Sequence, residues 1–492
     1  MTVSGKALII SIFLTLLAGF PALAADETEA PTTAELLAHP DVIGALAAID
    51  AWVEGVRTYK KIPGISLGIV NDQDMLWRNG YGYANLETKR PADADTLYSI
   101  CSISKLFTSI GIMQLRDAGQ LRLRDAVGDH LDWFTITQTY DGSGPITIES
   151  LLTHSSGLPR ESDYPYWNGP DFPFPTREEL IERLSTQETL YPAQYYFQYS
   201  NLALSLAGEI IQERSGEAYA DYINENILEP LGLANTRTYY PEELRGAKMA
   251  LGYTGMRRSG TRELVKPFFT RGITAAAGFT SSVNDLAKFA SWQFRLLESA
   301  DSEVLQANTL REMHRVHWVD PDWETTWGLG FNVHREEDVT IVSHGGGCPG
   351  YITQFALDPK HKIAAVVLTN AGDGPAGNIA RNIFATILPA IKKAAKPAEE
   401  EMPDFSRYVG NYDNRPWGGE VAIRQWGDHL VLINLPADDL GEAMIKLKHD
   451  SGDTFVRLTD DDEPREPWVF EIGDNGKASR IFKHSIYLQR IE

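Results

Sequence analysis

Cysteine is nearly absent from this chain: Cys101 and Cys348 are the only two among 492 residues, so at most one intramolecular bridge can form. Basic residues are in deficit too. With 45 Lys and Arg against 67 Asp and Glu the formal charge is −22, which argues against nucleic acid and anionic membrane surfaces as partners. The eleven histidines form no ligand pattern: there is no His-Glu-x-x-His, and His314 and His317 stand three apart without a third partner. No metal and no cofactor are therefore expected. The one Gly-x-Ser-x-Gly, Gly64-Ile65-Ser66-Leu67-Gly68, lies in a strand-like run and not at a strand-to-helix turn, which disfavours the nucleophile elbow of α/β-hydrolases. After the first apolar run no segment approaches the length of a membrane span, so none is expected to persist in the mature protein.

What is present begins with a leader pattern. Met1–Lys6 is a short basic start, Ala7–Phe20 is an apolar run of 14, and Ala22-Leu23-Ala24 offers small residues for cleavage after Ala24. This reads as a secretory signal peptide, hence a secreted protein, periplasmic in a Gram-negative source. Loss of Lys6 would make the charge −23. In an exported chain a lone pair of cysteines is read as joined. With 43% hydrophobic and 10% aromatic residues the chain is globular and long enough for more than one domain.

Residues 41–57 carry Val42, Leu46, Ile49, Trp52 and Val53 at helical spacing. The period then changes to that of strands: Ile65–Val70 and Met75–Arg78, separated by Asn71-Asp72-Gln73-Asp74, predict a hairpin that Gly80–Tyr83 extends or follows. Helices and turns occupy the middle, including an aromatic, proline-rich stretch at 160–176 that suits either a loop over a cleft or a packed surface loop. Strand character returns at 329–333, 339–343, 351–357 and 363–369. Strands at both ends with helices between predict an α/β fold of the α+β type. One antiparallel sheet, flanked by helices, is completed by distant segments around an inserted helical subdomain. A helix over about 378–393 then meets a charged, proline-bounded linker at 394–404, and short alternating strands over 405–492 predict an all-β module resembling a small barrel. The expected layout is thus leader 1–24, flexible mature start 25–40, main domain 41–393, linker 394–404 and β module 405–492.

The chemistry centres on Tyr98–Phe107, where Ser102 and Lys105 stand three residues apart at the start of an apolar helical run (Leu106, Phe107, Ile110, Met113, Leu115) ending near Gly119. A serine at a helix N-terminus can attack a carbonyl while a backbone N–H binds the oxyanion and a neutral lysine takes the proton. Taken alone, Ser-x-x-Lys equally fits a helix cap and a surface lysine. Tyr199-Ser200-Asn201 precedes a second apolar helical run, and Ser343-His344-Gly345-Gly346-Gly347-Cys348-Pro349-Gly350 leaves a strand. Each has a plain reading of its own, an exposed aromatic with a capping amide and a Gly-rich turn. Glycines there would let a substrate backbone lie close along a strand.

In this order and spacing, Ser102-Ile103-Ser104-Lys105, Tyr199-Ser200-Asn201 and His344-Gly345-Gly346 resemble the three active-site motifs of the penicillin-recognising serine hydrolases, in the branch of class C β-lactamases, D-alanyl-D-alanine carboxypeptidases, D-aminopeptidases and related esterases. The resemblance spans roughly residues 40–390 and implies a β-lactamase/transpeptidase-like fold. It also implies Ser102 as nucleophile, Lys105 and Tyr199 sharing the duty of general base, and Asn201 holding Lys105 and the substrate amide. His344, Gly345 and Gly346 would line the substrate strand, and the N–H groups of Ser102 and Gly347 would form the oxyanion hole. A Cys101–Cys348 bridge would tie the two halves of that hole together, an arrangement resembling that of some class A carbapenemases. His344 stands where many relatives carry lysine, which weakens carboxylate binding at neutral pH. The implied function is a secreted hydrolase forming an acyl-enzyme on a small-molecule or peptide substrate: a D-amino-acid-containing, cell-wall-related amide or a β-lactam. A carboxylesterase or transesterase with the same residues, and a penicillin-binding sensor that does not turn over, are the alternatives. The oligomeric state is open.

Overall fold

The computed structural model describes residues 31–336, 339–395, 402–459 and 461–491, so the expected leader and most of the expected linker lie outside the described residues. The flexible start expected over 25–40 does not extend to its last residues. Thr33–Ala38 is a capped helical turn in which Thr32 Oγ1 accepts from the Glu35 N–H (3.3 Å) and the Glu35 carboxylate accepts from the Thr32 N–H (2.8 Å). The next helix, α1 (Pro40–Tyr59), starts with proline at its first position and buries Val42, Ala45, Leu46, Ile49, Trp52, Val53 and Val56.

The hairpin follows as β1 (Gly64–Asn71) and β2 (Asp74–Asn85), with a two-residue β3 (Arg90–Pro91) beyond it. The middle of the chain is helical, with α2 (Ser104–Asp117), α3 (Asn201–Ser215) and α4 (Val283–Glu298) as its long members. Six strands then complete the sheet: β4 (Trp318–Val319), β5 (Thr326–Trp327), β6 (Asn332–Glu336), β7 (Val339–Cys348), β8 (Tyr351–Asp358) and β9 (Ile363–Thr369). The order across the sheet is β3-β2-β1-β9-β8-β7-β6-β5-β4. Distant segments meet at its centre, where β1 and β9 pair antiparallel from Ile65↔Thr369 to Asn71↔Ile363. The strand expected at 329–333 begins only at Asn332, because Gly330 takes a left-handed φ of +86° and turns Leu329 and Phe331 into the core as a bend.

Period-2 alternation divides the sheet between two cores. Ile65, Leu67, Ile69, Ile363, Ala365 and Val367 pack with α1 and with α5 (Ala376–Ala394), whereas Ala364, Val366 and Leu368 face the cluster that holds α2, α3 and α4.

Residues 410–491 close an eight-stranded antiparallel barrel in which each strand pairs with its sequence neighbours and the first, Gly410–Asp413, pairs with the last, Ile486–Ile491. Its interior holds Tyr408, Tyr412, Ile423, Leu432, Phe455, Phe470 and Leu488. The barrel also shares a core with the main domain. Ala422, Ile433, Leu435 and Leu440 belong to the cluster that buries α1, and Trp52 Nε1 donates to the Ala437 carbonyl at 3.0 Å.

Candidate active site

Ser102 lies in a single 3₁₀ turn, Cys101–Ile103, that feeds into α2, so the helix proper starts two residues later than Ser102. Cys101 adopts φ +50°, a sparsely populated conformation for a non-glycine residue, and several contacts hold it there. Ser104 Oγ donates to the Cys101 carbonyl and accepts from the Phe279 N–H (3.0 Å), and Cys101 is bridged to Cys348 at the end of β7 with the Cα atoms 5.8 Å apart. The expected disulfide is present and joins the serine turn to the Gly-rich strand.

Lys105 is fully buried, and its Nζ lies 2.7 Å from Asn201 Oδ1, 2.8 Å from the Ala276 carbonyl and 3.2 Å from Ser102 Oγ. Burial without an ion-pair partner holds its pKa well below the ordinary lysine value; Glu161 opposes that shift and Arg160 adds to it. The neutral amine has two N–H donors and one lone pair. The Asn201 and Ala276 oxygens can only accept, so they take the two N–H groups and leave the lone pair on the Ser102 hydroxyl.

The same rule moves Tyr199 in the opposite direction. Burial favours the neutral form of each group, which lowers a lysine and raises a phenol, so the Tyr199 pKa is raised although the Ser102 hydrogen bond and Arg160 oppose this. Of the two, Lys105 alone is shifted toward its unprotonated form. Lys105 Nζ and the Arg160 guanidinium lie 4.9 and 4.8 Å from the Tyr199 ring centroid. His154 packs on the ring at 4.3 Å, and its Nδ1 accepts from the Ser200 N–H at 3.2 Å.

On β7 the residues alternate. His344, Gly346 and Cys348 are buried, while Gly345 and Gly347 are exposed to a cleft of about 560 Å³ that Ser102, Tyr199, Arg160 and Arg381 also line. Gly346 does not face that cleft. A Cβ there would stand 2.1 Å from the Ile100 carbonyl, so this glycine lets the strand press against the serine turn instead of against a substrate. Thr353 Oγ1 donates to the same carbonyl at 3.2 Å. His344 Nδ1 donates to the Gly345 carbonyl at 2.7 Å, and burial lowers its pKa to about 3, so the imidazole is neutral near pH 7 with its Nε2 lone pair free. The cations of the cleft are Arg160 and Arg381.

The fold thus brings together Ser102, Lys105, Tyr199, Asn201, His344, Gly345 and Gly347. Sequence reasoning overlooked His154, Glu161, Trp327, Arg160 and Arg381. Arg160 and Glu161 open the aromatic stretch at 160–176, and no spacing rule marks any of the five. Among the described residues no three His, Cys, Asp or Glu side chains are grouped as a metal site, and no helix is long and apolar enough to cross a membrane.

Residues 49–387 match the beta-lactamase family. The chain belongs to that family. Residues 394–491 match a domain family of unknown function. Beta-lactamase-like protein 2 of Dictyostelium discoideum is 30% identical over 435 residues, which cover 82% of this chain and 76% of that protein. A penicillin-binding protein of Bacillus subtilis is 29% identical over 373 residues, 69% of this chain and 77% of its own. Among solved structures, the octameric penicillin-binding protein homologue from Pyrococcus abyssi superposes with a TM-score of 0.60 at 27% identity, covering 90% of this chain and all of that one.

Proposed function

We propose that this beta-lactamase-family chain is a serine hydrolase that forms an acyl-enzyme on Ser102. The observation that carries the reading is the placement of Lys105 Nζ 3.2 Å from Ser102 Oγ, with the Asn201 and Ala276 oxygens at 2.7 and 2.8 Å able to take both N–H groups of a neutral amine and leave its lone pair for the serine. As Ser102 Oγ attacks a carbonyl carbon its proton passes to Lys105 Nζ. The oxyanion is received by the N–H groups of Ser102 and Gly347, each contributing about 3 kcal/mol. The protonated tyrosine, Tyr199, relays a proton to the leaving group, and Lys105 recovers its neutral form. Water then releases the acyl group from Ser102.

The substrates favoured are amides of D-amino acids and β-lactams, in keeping with the name of the penicillin-binding relative. A second reading, esters, is supported by His344: a neutral imidazole beside the cleft gives no fixed positive charge to a substrate carboxylate, and an ester needs none. The leader pattern at 1–24 adds export to the proposal, and a mature N-terminus at Ala25 would confirm cleavage. The deciding experiment is intact mass of unreduced protein against time after adding a penicillin. A long-lived adduct that Ser102→Ala abolishes identifies a penicillin-binding peptidase, and a transient adduct with product identifies a β-lactamase. Without any adduct, turnover of short-chain esters by the wild type but not by Ser102→Ala puts the esterase reading first.

A further inference from the structure

The loop leaving Pro159 is stitched to the start of α3. Ser200 Oγ donates to the Pro159 carbonyl (2.8 Å), and the Asn201 and Leu202 N–H groups donate to the Arg160 carbonyl (2.8 and 3.2 Å). Glu161 is the next residue. Its Oε1 accepts from Asn201 Nδ2 at 2.6 Å and from Trp167 Nε1 at 3.0 Å, and its Oε2 accepts from the Tyr166 hydroxyl. Gln187 Nε2 donates to its backbone carbonyl at 3.1 Å. Asn201 is buried between this carboxylate and Lys105. An asparagine amide can be turned over, exchanging its oxygen and nitrogen, at little steric cost. Here only one orientation works, because the carboxylate has no N–H to give and must be met by Nδ2, which aims Oδ1 at the Lys105 amine.

We propose that Glu161 is a positioning residue for acyl transfer: by fixing the orientation of Asn201 it keeps an acceptor on one Lys105 N–H and so keeps the lone pair of that amine on Ser102. This rests on the acyl-enzyme reading of Ser102. The aromatic loop at 160–176 thereby gains a role beyond packing, since Tyr166 and Trp167 hold the carboxylate in place. The charge of Glu161 acts as well. The groups facing Lys105 are Arg160 and Glu161 from this loop, Tyr199 and Asn201 at the start of α3, and the imidazoles of His154 and His344, both of which burial keeps neutral. Glu161 is the one among them that raises the lysine pKa. Removing its charge leaves burial and Arg160 to lower that pKa further, so the acid limb of the rate profile moves to lower pH.

The test compares wild type, Glu161→Gln, Tyr166→Phe and Ser102→Ala. Ser102 labelling by a fluorophosphonate is read by intact mass, and 4-nitrophenyl acetate turnover is followed between about pH 5 and 10. Glu161→Gln keeps the shape but loses the charge and offers a donor as readily as an acceptor. Its kcat is expected to fall by about tenfold with KM little changed, and its acid limb to shift to lower pH. Tyr166→Phe is expected to lower kcat less and to leave the limb in place. A wild-type kcat in Glu161→Gln, or a fall in kcat with an unmoved acid limb, overturns the proposal, the second result marking a merely structural residue. Should Glu161→Gln fail to fold, Tyr166→Phe and Trp167→Phe decide: reduced kcat in both supports the role, and wild-type kcat in both overturns it. A wild type unlabelled at Ser102 overturns the acyl-enzyme reading and Glu161 with it, whereas labelling with unaltered variants overturns Glu161 alone.

Discussion

Three buried imidazoles, His154, His314 and His344, make the molecule sensitive to acid. His314, whose Nε2 meets Gln293 Oε1 at 3.0 Å and whose ring packs on Phe331, and His344 beside the cleft both have pKa values that burial lowers to about 3 from an ordinary 6.5. Between those values the unfolded chain binds the protons and the native chain does not. Stability is therefore full above pH 6.5 and declines as the pH falls toward 3, by about 1 kcal/mol per pH unit for each group. Urea unfolding of wild type at pH 7 and pH 5 should show this loss, and His314→Gln should lose less over the same interval. An equal loss in both proteins would mean that His314 is not buried as a neutral ring. At this scale the meeting of Ser102, Lys105 and Tyr199 was expected from the resemblance that their motifs carry together, since none of the three motifs marks a site alone. Glu161 and His154 were not: each stands in a loop whose path no periodicity encodes, and a lone carboxylate beside Arg160, Ser162 and Asp163 reads as solvated surface.

At the level of elements, the strands were legible wherever β-branched and apolar residues alternate, as in β1 and β9. The hard case was β7. Sequence treats Gly345-Gly346-Gly347 as a turn, because glycine lacks a side chain to pack and weakens a strand. Its ladder nevertheless continues through His344↔Phe355, Gly346↔Thr353 and Cys348↔Tyr351. What keeps it extended is tertiary: the neighbouring strand on one side, the serine turn pressed on Gly346 and the disulfide at its end. Gly346→Ala tests this. The added methyl would meet the Ile100 carbonyl at 2.1 Å and Thr353 Oγ1 at 2.3 Å, and the first of these is backbone that cannot rotate away. Separating strand from turn should cost about 1–3 kcal/mol in denaturant unfolding. It should also lower Ser102 acylation more than any surface substitution, because both proposed oxyanion N–H groups lie across that seam. Gly345→Ala faces the cleft and should leave stability nearly unchanged.

For the whole molecule, the alternating strands over 405–492 led to the expectation of an all-β module, but not of what it rests on. A module boundary read from sequence says where few contacts are local, whereas the barrel's main contact is with α1, more than 350 residues upstream, and hydrogen bonds such as Trp426 Nε1 to Asp41 Oδ1 (3.1 Å) have no sequence signature. Two glycines on one face of α1, Gly44 and Gly55, mark the seat. A Cβ on Gly44 would stand 2.6 Å from Trp426 Cγ and 2.7 Å from its Cα, whereas one on Gly55 would meet only the tip of Leu435, with Cδ2 at 2.7 Å. Alanine gains about 1 kcal/mol of helix propensity over glycine at either site, and overpacking costs about 1–3 kcal/mol where the neighbour cannot yield. At Gly55 a leucine rotamer can move aside, so Gly55→Ala should be close to neutral. At Gly44 a backbone atom and the root of an indole stand in the way, so Gly44→Ala should be destabilising by about 1–2 kcal/mol net. Unfolding followed by tryptophan fluorescence measures both. Equal effects at the two positions would mean that the barrel does not bear on α1 through Trp426, while a selective loss at Gly44 would place the tight contact between barrel and α1 at Trp426.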